Sequence, residues 1–255
     1  MNTIAKYMLL LDRQFCGTRV WVNGIEILSD LSGGQVTVRL PLNQWLKSGT
    51  NTFRIDILPL RDLGQLPPQA YCNATVESDD VSGTAIIARL KAVDADLASP
   101  MSARFIAGEC DISMPFEWRW QSAVAASNVE LRLEMVTEEL EKFWHVCEQK
   151  SISKVVQYLS VKNLEVAQAY GMPSDHFERE CRGLFEDLFF SENWGLAPLQ
   201  DGNAVLRLFA DGKLSRLDTE RGKSPLYYLG VDGELAVFLP IIFCEDHDGS
   251  LRAVR

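Results

Sequence analysis

The stretch from Val20 to Leu58 constrains the fold more than any other part of the chain. It holds Val20-Trp21-Val22-Asn23-Gly24, and then Leu42-Asn43-Gln44-Trp45-Leu46-Lys47-Ser48-Gly49-Thr50-Asn51-Thr52-Phe53-Arg54-Ile55-Asp56-Ile57. Successive side chains of a strand point to opposite faces, so Phe53, Ile55 and Ile57 share one face and Arg54 and Asp56 the other. Asn-Gly accepts the positive φ angles that a two-residue hairpin turn demands. The order is strand, tight turn, strand, short capped turn, strand. It predicts an antiparallel β-sandwich, an architecture more suited to binding than to chemistry.

The alternation extends in both directions. Val36-Thr37-Val38-Arg39-Leu40, Ala85-Ile86-Ile87-Ala88-Arg89-Leu90 and Val129-Glu130-Leu131-Arg132-Leu133-Glu134-Met135 read as further strands, and the run from Met1 to Asp12 as a first one. Asn23-Gly24, Gly33-Gly34, Ser48-Gly49 and Ser82-Gly83 are turn signals, and Pro67-Pro68 and Ser99-Pro100 mark loops. Near Val136 the period becomes helical. Thr137 is the expected N-cap, with Glu138 and Glu139 in the first turn and Leu140, Phe143, Trp144 and Cys147 on one face. Ile152, Val155, Val156 and Leu159 begin a second helix that Leu164, Ala167 and Tyr170 extend to a stop at Gly171. A third is expected to start at Pro173-Ser174 and to carry Phe177, Cys181, Leu184, Phe185 and Leu188 as its apolar stripe.

From Trp194 strands return. Ala204 to Phe209 leads into the turn Ala210-Asp211-Gly212-Lys213, and Pro225 to Gly230 into Val231-Asp232-Gly233. Leu235 to Cys244 reads as one central strand kinked at Pro240, and Asp248-Gly249 turns into a last strand, Ser250 to Val254. The fold expected is therefore two-domain. Residues 1–136 form the β-sandwich. Residues 137–255 form an α+β domain, three helices followed by an antiparallel meander, with the helices on a curved antiparallel sheet.

A chain of 255 residues suits two domains and buries a core without metals or disulfides. Its net charge of -10 disfavours nucleic acid and anionic membrane and is compatible with a basic protein partner. No apolar run reaches transmembrane length, and the apolar stretch near the N-terminus is too short for a signal-peptide core. The six cysteines are scattered in apolar surroundings with no Cys-x-x-Cys pair, as small buried hydrophobes in a reducing cytoplasm would be. Without a signal peptide, the sequon Asn73-Ala74-Thr75 reads as chance. No cofactor is expected: no phosphate loop, dinucleotide fingerprint, nucleophile elbow or zinc-protease motif is present.

Two resemblances sharpen the fold. Val20-Trp21-Val22-Asn23-Gly24 and Leu42 to Asn51 resemble the strand, Asn-Gly turn, short helical turn and Gly-x-Asn corner of the galactose-binding-like jelly roll, an accessory domain of many glycoside hydrolases. The match covers about 40 residues, and no catalytic barrel adjoins it, so it implies fold more than sugar binding. The second half is similar, by order of elements alone, to cone-shaped NTF2-like α+β domains. Those form pockets and serve as enzymes, binders or dimerisation modules, which makes a homodimer one expected state.

Several clusters carry chemistry. Glu245-Asp246-His247, before Asp248-Gly249, holds the catalytic candidates: acid–base groups at a pocket mouth, or else the charged tip of a hairpin. His176 and Glu180 stand at i, i+4 on the third helix, a spacing that suits a metal or equally a solvated N-terminal turn. His145 and Cys147 lie on different helix faces and form no dyad. Phe116-Glu117-Trp118-Arg119-Trp120 alternates aromatics. Trp118 and Trp120, joined by Trp21 and Trp45, are the ligand-binding candidates, as an exposed platform or as core. The leading expectation is a non-enzymatic, cytoplasmic, bacterial binding protein of the immunity or adaptor type. The alternatives are a carbohydrate or small-molecule binder, and an enzyme with its pocket in the second domain.

Overall fold

A computed structural model of the chain describes residues 4–60, 64–80, 83–92, 104–199, 204–220, 222–233 and 235–255. Met1 to Thr3, Ser82 and the Ser99-Pro100 loop lie outside them. Two compact units form, Met1–Glu117 with Ala169–Gly171, and Trp118–Gln168 with Met172–Arg255.

In the first unit the alternating segments become strands β1 (Lys6–Gln14), β2 (Gly17–Val22), β3 (Ile25–Asp30), β4 (Val36–Pro41), β5 (Gly49–Leu58), β6 (Tyr71–Asp80), β7 (Gly83–Arg89), β8 (Lys91–Ala92) and β9 (Arg104–Ile112). They pair antiparallel in two sheets, β4-β1-β6-β7 and β3-β2-β5-β9-β8. Leu9 and Leu11 of β1, Val20 and Val22 of β2, Phe53 and Ile55 of β5, Val76 of β6 and Ile106 of β9 turn inward and share one core. Each such side chain contributes about 1.5–3 kcal/mol on leaving water. Their even spacing is why the strands bury one face only.

The two motifs of the opening stretch meet through their asparagines. Asn23 and Gly24 take φ of 52° and 74°, the paired left-handed conformation of the β2–β3 turn. Asn51 is fully buried, and its amide nitrogen donates to the carbonyls of Lys47 (2.8 Å) and Gly49 (2.9 Å). Its Oδ1 accepts from the Lys47 N–H (2.9 Å) and from Asn23 Nδ2 (2.8 Å). Asn23 Nδ2 also donates to the Trp45 carbonyl (2.9 Å), and its Oδ1 accepts the Thr52 N–H. The short 3₁₀ turn Asn43–Trp45, the Ser48-Gly49 corner and the β2–β3 turn are thereby bound together.

The second unit holds α1 (Val129–Glu148), α2 (Ile152–Tyr158), α3 (Ser160–Ala169) and α4 (His176–Phe190), then β10 (Trp194–Leu196), β11 (Val205–Phe209), β12 (Leu214–Asp218), β13 (Tyr227–Gly230), β14 (Ala236–Phe238), β15 (Phe243–Glu245) and β16 (Leu251–Ala253). Val136, Leu140, Phe143, Val155, Phe185, Leu188 and Phe189 from the helices pack with Leu217, Tyr228, Phe243 and Leu251 from the strands in one core. This is the α+β organisation expected.

Four readings change. Val129 to Met135 is not a strand but the start of α1. Asn128, rather than Thr137, is its N-cap, accepting the N–H groups of Glu130 (2.9 Å) and Leu131 (3.1 Å). The apolar alternation there is incidental, because Val129 and Leu131 are exposed, and the buried set is Arg132, Val136, Leu140, Phe143 and Cys147, at helical spacing. The long second helix is two, broken at Leu159, though α3 does end before Gly171, which takes φ +63°. α4 starts at His176 after Asp175 instead of at Pro173, and Phe189 is buried where Leu184 was expected. Finally, Leu235 to Cys244 is not one strand. β14 belongs to the sheet β10-β13-β14 and β15 to β11-β12-β15-β16, so the expected single curved sheet is divided. Pro240, which has no N–H for a ladder, stands between the two strands.

Replacing the α1 cap, Asn128→Ala, is expected to lower stability by about 1 kcal/mol, read from the midpoint of urea unfolding followed by helical circular dichroism.

Candidate functional site

Because β2, β5 and β9 are neighbours in register, their outward side chains form rows across the sheet. Arg19, Asp56 and Phe105 make one row, and Trp21, Arg54 and Ala107 the next. Thr52 faces Glu109 in the third. Short side chains at Thr52 and Ala107, with Gly24 and Gly108 beside them, leave a groove of about 830 Å³ on this face, lined also by Trp21, Phe53, Arg54, Asp56 and Glu109.

Asp56 organises the polar part. Its Oδ2 accepts the Trp21 indole N–H (2.8 Å), and its Oδ1 accepts from Arg54 Nε (2.7 Å). The Arg54 guanidinium lies 4.7 Å from the Phe105 ring centroid. One carboxylate therefore holds both the indole of Trp21 and the charge of Arg54. Glu109 is exposed and has no ion-pair partner among the described residues.

The other tryptophans are placed differently. Trp118 and Trp120 do not form an exposed platform on a strand. Trp118 is the N-cap of a 3₁₀ turn, Arg119–Gln121, and Trp120 lies within that turn; they are 1% and 5% exposed. The Trp118 N–H donates to Gln121 Oε1 (2.7 Å), and the Arg255 guanidinium stacks on the indole at 4.0 Å. Trp45 sits half-buried against the first unit's core. Of the four, Trp21 lines the groove.

Glu245, Asp246 and His247 are drawn apart. Glu245 accepts a hydrogen bond from the buried Arg132, while Asp246 takes Arg119 (2.9 Å) and Arg252 (3.4 Å). His247 is exposed in the turn closed by the Gly249 N–H on the Asp246 carbonyl (3.0 Å). His176 packs edge-on against Phe177, and Glu180 is exposed; among the described residues no group of three or more His, Cys, Asp or Glu gathers to hold a metal. His145 is exposed and pairs with Glu148, on a different face from buried Cys147.

All six thiols are free. Burial pushes Cys72, Cys147 and Cys244 up to about 12. At pH 8 only about one in ten thousand of each is then thiolate, the form that reacts.

No family model, no curated protein and no solved structure matches the chain. Among the described residues, no helix is long and apolar enough to cross a membrane.

Thr52, Arg54, Asp56 and Glu109 were not singled out from sequence as site residues. The polar positions of β5 were visible as an outward face, but their alignment with Trp21 depends on strand register, and β9 carries no clear alternation.

In native protein at pH 8, Cys72, Cys147 and Cys244 are expected to resist a chromogenic disulfide reagent, whereas all six thiols titrate in urea. Cys147 and Cys244 are buried and Cys72 half-buried, and prompt native reaction at these three, located by peptide mapping, would contradict the upward shift of their thiols.

Proposed function

We propose that this protein is a non-enzymatic binding protein that takes its ligand in the groove on the β2-β5-β9 face. The observation that carries the reading is the Asp56 hub. It holds Trp21 and Arg54 in fixed positions, and a preorganised polar and aromatic surface loses little on binding. The separation of Glu245, Asp246 and His247, each engaged elsewhere or exposed, supports a role without catalysis. An immunity-type or adaptor protein is the form of this proposal in which the ligand is another protein. Two antiparallel sheets around one core support a jelly-roll-like first unit. Helices preceding antiparallel strands are what the second unit has in common with an NTF2-like domain, although its strands divide into two sheets.

A carbohydrate is the second reading, favoured by one feature. The Trp21 indole bonds to Asp56 and shares the groove with Thr52 and Glu109, an aromatic surface with hydrogen-bonding groups along the same groove.

Filling the groove tests both. Thr52→Trp places a large side chain at an exposed strand position and is expected to leave unfolding unchanged. Peptides and oligosaccharides that raise the melting temperature of the native protein should fail to do so with the variant. Ligands whose effect survives the substitution would place binding elsewhere.

A further inference from the structure

We infer that the groove receives a cationic side chain, arginine or lysine, from an extended basic segment of a protein partner. The inference rests on reading the groove as the binding surface, and it names what the surface selects.

Charge on this face is unequal. Glu26 pairs directly with Trp21 across β2 and β3, so it shares the outward face with Asp56, Glu109 and Asp111. Against these four carboxylates stand Arg19 and Arg54. The groups are also not equally committed. Asp56 neutralises Arg54 at 2.7 Å, and Asp111 accepts the Thr50 hydroxyl at 2.6 Å. Glu109 has no ion-pair partner among the described residues, and it lines the same groove as Trp21. A groove lined by both a carboxylate and an indole selects a cation, by Coulomb attraction from the one and attraction to the ring face from the other. Thr52 and Ala107 leave the room between them.

The same charge argues for a protein partner over a free amine. With a net charge of -10, the chain attracts a basic protein at long range and raises its encounter rate, which does little for a single small cation. The groove, about 830 Å³, is also larger than one side chain and has peptide backbone at Gly24 and Gly108 along it. An extended segment would use that extra length.

The test uses the full chain and three probes in calorimetric titration: a ten-residue peptide alternating arginine with glycine and serine, the same peptide with citrulline for arginine, and maltose. The arginine peptide is expected to bind and the citrulline peptide not. Glu109→Gln should weaken binding about tenfold, while Glu141→Gln, which removes an exposed carboxylate on α1, should change it less than about twofold. Equal losses in the two variants would show general attraction to an acidic protein and overturn the inference. So would equal binding of the citrulline peptide. If the arginine peptide does not bind and maltose does, with Thr52→Trp abolishing it, the cation inference falls and the binding-protein reading stands. If Thr52→Trp leaves binding of the arginine peptide intact, the groove is not its site, and both fall.

Discussion

Asn51 is fully buried, and all four of its amide hydrogen bonds are made inside the protein, one of them to Asn23. A buried amide left unsatisfied costs about 1–3 kcal/mol, so this corner stays intact only while the β2–β3 turn and the Ser48-Gly49 corner keep their present geometry. Trp21 lies two residues before Asn23, and Thr52, Arg54 and Asp56 follow Asn51 closely. Holding the two asparagines together therefore sets the register of β2 against β5, and register decides which side chains share a face. A slip of one residue would turn Trp21 inward and Val22 outward. The groove and the Asp56 hub exist because that slip is prevented.

Buried charge serves a similar purpose elsewhere. Arg13, fully buried, bonds to Asp30 and to the Cys16 and Gly34 carbonyls, tying β1 to the chain after β3. Arg132 joins α1 to Glu245 at the end of β15. Arg255 pairs with Glu165 while covering Trp118. Such pairs add little net stability over apolar packing, but removal of one partner strands the other in the interior, so they penalise alternative arrangements. Glu245 and Asp246 looked like acid–base candidates because they are polar groups next to an apolar strand. In the structure Glu245 pairs with Arg132, and Asp246 with Arg119 and Arg252.

What was legible follows from how local each signal is. Strict alternation in Val36 to Leu40 and Phe53 to Ile57, and the Asn23-Gly24 and Asp211-Gly212 turns, depend on neighbouring residues and reappear as strands and hairpins. Val129 to Met135 misled because seven residues of alternation fit a strand, while the helical set that wins runs from Arg132 to Cys147. The burial of Trp118 depends on Arg255, far along the chain, and no local pattern announces it. The groove was the least legible feature. Trp21 was visible as a candidate, but its companions come from the β2–β3 turn and from two other strands, β5 and β9, brought beside it by pairing.

A double-mutant cycle between Asn23→Ala and Asn51→Ala tests the account most directly, with stability measured by urea unfolding of the two single variants and the double. The amide bridge predicts that each single change destabilises, and that the double costs about 1–2 kcal/mol less than their sum, because the second loss has no remaining partner to strand. Additivity within about 0.5 kcal/mol would mean that the two turns are held independently, and the register of the groove would need another cause.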